Sequence, residues 1–204
     1  MWPALIRDVV PLVVEVSEHS SDPPNPWAGY QLALESGLED PTKPTHVLVL
    51  QDDAQVCLNF AEAVTRIADA NERLVSLFIA HDPRVMAGRQ LQAAKAGECY
   101  FTYGVSQFVP AIALLWPVAK ARDFLTWARS GVRLPGQPMS DGTIDTRSDD
   151  AVIGDWHRRR QEHVLCTAPS LVEHMPDVES IIGKPLGRKA KLFIGEGDPL
   201  TYAW

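Results

Sequence analysis

The sequence predicts an α/β fold, a mostly parallel sheet with helices on both faces. Short apolar runs rich in β-branched residues, such as His46–Leu50 and Leu74–Ala80, alternate with segments of helical periodicity. Those runs are apolar without a polar side, as expected of strands covered on both faces. The chain has 204 residues and 46% hydrophobic content, the size and core of one ordinary domain. Residues 1–204 therefore read as a single domain, with 184–204 as a C-terminal tail or loop.

The elements follow in order. Trp2–Val10 places Trp2, Leu5, Ile6, Val9 and Val10 near helical spacing, and Leu12–Val16 reads as a short strand. Ser17–Pro26 is dense in Ser, Asp and Pro and forms a loop. Pro26-Trp27 opens a helix through Ser36, closed by Gly37 and Pro41. After the strand at His46–Leu50, Phe60–Ala70 carries Phe60, Ala63, Val64, Ile67 and Ala68 on one stripe. Leu74–Ala80 is the next strand, ending at His81-Asp82, and Pro83–Gly97 is helical with Gly97 as its stop. Phe108–Trp116 is a strand placed at an edge or bulge by Pro110. Pro117 starts a helix through Ala128, with Val118, Ala121, Phe124, Leu125 and Ala128 inward. Ser130–Arg147 is a long polar loop, of a size that is often functional. Ser148 caps a helix whose first turn holds Asp149 and Asp150, and Val164–Cys166 is the last strand.

Composition narrows the function classes. The formal net charge of -7 argues against a nonspecific grip on a nucleic-acid backbone. Cys57, Cys99 and Cys166 lack CxxC spacing, and they read as thiols in a reducing, cytoplasmic compartment. No apolar run approaches the length of a membrane span. Arg7, Asp8 and Glu15 interrupt the N-terminal apolar stretch, which argues against a signal peptide.

The chemistry centres on Thr45–Phe60. Its buried strand stops abruptly at Gln51-Asp52-Asp53, where open α/β sheets place their ligands. Adjacent carboxylates repel unless a positive charge answers them, and Mg²⁺ or Mn²⁺ does so well. The plain alternative is a solvated acidic turn.

Four features in one order resemble a GT-A type glycosyltransferase, a nucleotide-sugar-dependent enzyme. They are the strand ending in Asp52-Asp53, the apolar strand followed by Pro117 and a helix, Ser148-Asp149-Asp150 opening a helix, and Pro169-Ser170-Leu171-Val172-Glu173-His174. The resemblance covers Pro26 to Gly183. It implies a GT-A-like, Rossmann-like sheet and a DxD-like motif holding a divalent metal on the donor diphosphate. It also implies an acceptor-side acid at the later helix start, and a histidine that completes the metal shell. The sequence has Gln-Asp-Asp rather than a spaced D-x-D, so Asp53 is the safer metal ligand, and Asp52 is left for the ribose or a metal-bound water. The family's opening strand has no clear counterpart. Either Leu12–Val16 fills that role, the nucleotide pocket is abbreviated, or the sequence begins late.

The resemblance implies these assignments: Asp53 and His174 as metal ligands, Asp150 and then Asp149 as catalytic base, and Gln51 and Asp52 on the donor. Lys184 and Arg188, with Lys189 and Lys191, form a basic stretch that closes over the donor diphosphate, or else a solvated tail. The cofactors implied are Mn²⁺ or Mg²⁺ and a nucleoside diphosphate sugar. The acceptor is an unspecified hydroxyl on a glycan, a protein or another molecule. For each residue a plainer role stands beside this one. His174 is a buried histidine satisfied by backbone, Asp149 and Asp150 are first-turn acids favoured by the helix dipole, Trp27, Trp116 and Trp156 are core rather than stacking platforms, and Arg158–Arg160 is a solvated face. The function expected is transfer of a hexose to an acceptor hydroxyl. The alternatives are a two-metal phosphoryl-transfer enzyme using Asp52, Asp53, Asp149 and Asp150, and a degenerate glycosyltransferase-like binding or assembly module.

Overall fold

The computed structural model describes residues 26–80, 84–103, 111–130, 149–175 and 189–204. The elements expected at Trp2–Val10 and Leu12–Val16, the loop residues 131–147, the Ser148 cap, Lys184 and Arg188 lie outside the described residues.

The chain is α/β, and its elements run α1 Pro26–Glu39, β1 His46–Leu50, β2 Ala54–Val56, α2 Phe60–Ala70, β3 Val75–Ser76, α3 Arg84–Lys95, β4 Tyr100–Tyr103, β5 Ala113–Pro117, α4 Val118–Arg129, α5 Asp149–Arg160, β6 Val164–Thr167 and β7 Val172–His174. A short 3₁₀ turn, Pro199–Thr201, closes the chain. Helix α1 runs past Gly37, which was expected to stop it. Gly37 is there for packing: a Cβ would come within 2.5 Å of Val47 Cγ1 on β1. Gly97 does end its helix, with a positive φ of 73°. The strand expected over Leu74–Ala80 is regular only at Val75–Ser76. Beyond it Leu77 crosses to other partners, donating to Ala113 O and accepting from Leu171 N and Val172 N.

Among the described residues five strands form one sheet in the order β1-β5-β3-β6-β4, and β2 pairs with β7 in a second, two-stranded sheet. The large sheet is mixed, not mostly parallel. The pairings β1–β5, β3–β5 and β4–β6 are antiparallel, and only β3–β6 is parallel. Strands β1, β3 and β6 run one way, and β5 runs the other way between β1 and β3. Burial on both faces produces a continuous apolar run whichever way a strand points, so the pattern that suggested a parallel sheet carries no direction. Strand β5 is interior, not an edge, and all five of its residues are buried.

Alternation along the strands separates two cores. Val47 and Val49 of β1, Leu114 and Trp116 of β5, and Val164 and Cys166 of β6 face one side, where α1, α4 and α5 pack. Leu48 and Leu50, Ala113 and Leu115, and Leu165 face the other, against Phe60, Ala63, Val64 and Ile67 of α2. Helices therefore cover both faces. The second face is completed by Phe193, Ile194, Leu200 and Trp204, so the described tail residues are docked on the body. Ser170 N–H donates to Leu192 O at 2.8 Å, Ile194 N–H to Ser170 O at 3.1 Å, and Arg66 Nη1 to Leu200 O at 3.2 Å.

Trp27, Trp116 and Trp156 all belong to the first core, so their plainer role holds. Arg160 does more than face solvent. It pairs with Asp123 at 2.9 Å and Glu162 at 2.8 Å, and lies over the Trp156 ring.

His157 is buried beside Trp156 and Trp116, and among the described residues neither ring nitrogen meets a hydrogen-bond partner of good geometry. Burial, with the nearby Lys120 charge adding to it, pushes its pKa from 6.5 down to about 4. Folding then favours the neutral ring. Its contribution is intact above pH 6.5 and is lost as pH falls from 6.5 towards 4, because the unfolded chain takes up the proton first. We expect His157→Phe to remove about 2–3 kcal/mol of the stability lost between pH 7 and pH 4.5. Urea unfolding of both proteins at the two pH values measures it, and equal acid losses would contradict it.

Candidate functional site

The carboxyl ends of β1, β3 and β6 lie at one edge of the sheet, since Leu50 pairs with Ala113, and Ser76 with Leu114 and Cys166. The segments leaving that edge carry the chemistry-bearing side chains. Gln51-Asp52-Asp53 follows β1, Pro169–His174 follows β6, and Ala111 leads into β5. This is the edge where open α/β sheets hold ligands.

The small sheet brings Asp53 to His174. Ala54 pairs with His174 and Val56 with Val172, and Met175 N–H donates to Asp53 O at 2.8 Å. His174 Nε2 lies 2.9 Å from Asp53 Oδ2, with both side chains mostly buried. His174 Nδ1 lies 3.0 Å from the Met175 carbonyl. A neutral imidazole has one N–H, yet both nitrogens here face acceptor oxygens. The Met175 carbonyl and the Asp53 carboxylate therefore compete for it. The other Asp53 oxygen, Oδ1, is buried and meets no hydrogen-bond partner among the described residues. An orphaned carboxylate oxygen beside an imidazole nitrogen fits a hard or borderline divalent cation. Among the described residues no group of three or more His, Cys, Asp or Glu side chains could hold a metal. A cation here would take its remaining ligands from water and from a bound phosphate, the usual habit of Mg²⁺.

Asp52 is exposed at the turn. Gln51 is pinned: its N–H donates to Ile112 O at 2.9 Å, and its carbonyl accepts from Ala54 N at 3.1 Å. Its amide Nε2 donates to Asp149 Oδ2 at 3.0 Å, across 98 residues of sequence. Asp149 Oδ1 accepts from Asp150 N at 3.0 Å, and Asp150 Oδ1 accepts from Ala111 N. Both acids are buried, at 3% and 4% exposure. They are not solvated first-turn acids. They join the start of α5 to the carboxyl edge of the sheet through Ala111 and through Gln51, which stands two residues before Asp53.

Two participants, Tyr30 and Glu173, carried no role in the sequence. Tyr30 on α1 accepts from Trp116 Nε1 at 2.7 Å. Burial, and then the charges of Asp149 and Asp150, push its phenol pKa well up, so it stays a neutral hydroxyl beside the acid pair. Its spacing with Trp27 and Leu34 marks a core stripe, and only its polar tip hinted at more. Glu173 Oε1 accepts from His174 N at 2.9 Å and from Ala190 N at 2.6 Å, tying the histidine segment to the tail. Gln51, expected on the donor, reaches Asp149.

No protein-family model matches the chain, and no curated protein matches it in sequence.

Proposed function

We propose that this chain is a metal-dependent glycosyltransferase that moves a sugar from a nucleoside diphosphate sugar to an acceptor hydroxyl. The observation that carries the reading is the meeting of Asp53 and His174 at the sheet's carboxyl edge, with an Asp53 oxygen that meets no partner among the described residues. In this reading Asp53 and His174 hold Mn²⁺ or Mg²⁺. When bound, the ion would stabilise charge on the leaving diphosphate as a Lewis acid. Asp150 removes the acceptor's proton; its carboxylate is oriented by the Ala111 N–H and by the first turn of α5. Asp52 meets the ribose or a metal-bound water, and Lys184 and Arg188 bring positive charge to the diphosphate.

The two-metal alternative asks both acid pairs to share ions about 4 Å apart. Asp149 and Asp150 instead accept from an amide and from backbone N–H groups, which a pair of ions would have to displace. That favours one metal. The test is a screen of nucleoside diphosphate sugars with and without Mn²⁺, read by thermal shift and by donor hydrolysis. We expect stabilisation and hydrolysis by at least one donor only when Mn²⁺ is present. Binding without turnover would favour the degenerate module, and neither would remove the reading.

A further inference from the structure

We propose that Gln51 is a positioning residue, which couples the Asp53–His174 pair to the first turn of α5 through Asp149. The inference rests on the metal-dependent reading and extends it to residues that touch no ion.

The turn 51–53 is held at both ends. At one end the Gln51 N–H and carbonyl are bonded to Ile112 and Ala54, which sets the side chain's direction. The Gln51 amide then meets Asp149 Oδ2 at 3.0 Å, while Asp149 Oδ1 accepts the Asp150 N–H. At the other end the Asp53 carbonyl accepts from Met175 N and its carboxylate meets His174. The amide also supplies a donor to a carboxylate that is only 3% exposed. Removing that donor takes one hydrogen bond from a buried carboxylate and unties the acidic turn from the start of α5. Asp53 is two residues away, so its carboxylate moves with the turn. Groups that orient metal ligands from outside commonly change metal affinity 10–100-fold when lost.

The test is a double-mutant cycle on Mn²⁺ affinity, measured by titration calorimetry of the full chain. The variants are Gln51→Met, which keeps volume without a donor, Asp149→Ser, which keeps a helix-start hydroxyl, and the two combined. Each single variant should weaken Mn²⁺ about tenfold, and the pair no more than the worse single. Single effects that multiply in the pair, or a loss below about threefold for Gln51→Met, would overturn the coupling. If Asp149→Ser does not fold, Gln51→Met decides alone by the same threefold mark. A parent protein that binds no Mn²⁺ sinks this inference and the metal reading together. A parent that binds Mn²⁺ with independent single effects sinks only the inference.

Discussion

Asp53→Asn should fold as the parent does and lose Mn²⁺ binding by more than about 100-fold, together with every Mn²⁺-dependent effect of a donor. The argument is charge. His174 Nε2 and Asp53 Oδ2 are 2.9 Å apart, and Asp53 Oδ1 lacks a partner among the described residues. In the proposed site the carboxylate would supply the negative charge that offsets dehydration of the ion, and an amide of the same shape would not. The same amide suits the metal-free fold, because its N–H can donate to His174 Nε2 while Nδ1 keeps the Met175 carbonyl. The variant thus separates metal binding from folding. Calorimetric titration with Mn²⁺ and a urea melt of the metal-free protein measure the two quantities. Unchanged Mn²⁺ affinity would place any metal away from Asp53.

Asp150→Asn should leave Mn²⁺ and donor affinity nearly intact and slow transfer about 10²–10⁴-fold, the range of a lost general base. The asparagine keeps an acceptor for the Ala111 N–H, so the joint between α5 and β5 survives. Asp150→Ala removes that acceptor and leaves a buried N–H unpaired, which should cost a further 1–3 kcal/mol or so of stability. Measuring both variants separates chemistry from architecture. If Asn and Ala slow transfer only as far as they destabilise the fold, Asp150 is a structural joint. If Asn instead abolishes donor binding while transfer per bound donor holds, the residue belongs to the donor side.

Much of the layout was legible in local pattern. The stripe Phe60, Ala63, Val64, Ile67 is the buried face of α2. The apolar runs at His46 and Ala113 are strands of one sheet. The meeting of Asp53 with His174 was implied only by the resemblance, and the fold brings the two side chains together. Other features left weak traces. Ala54–Val56 and Val172–His174 are three residues each, too short for a period to register, yet their pairing brings the aspartate to the histidine. The docking of the final residues rests on contacts with Ser170, Glu173 and Arg66, each far away in the chain.

The amino-acid order alone sufficed for the α/β class and for most helices. Periodicity and abrupt changes from apolar to acidic are local properties, and local properties survive in one dimension. Strand direction did not, because a strand buried on both faces reads the same either way, and only the pairing of β5 with β1 and β3 showed the sheet to be mixed. The surroundings of the two acid pairs did not either. Asp149 and Asp150 have the sequence of ordinary helix-start acids, and their burial against Gln51 and Ala111 depends on the packing of α5 on the sheet edge. Charge is written in the chain, but the donors that answer it come from segments that only folding brings near.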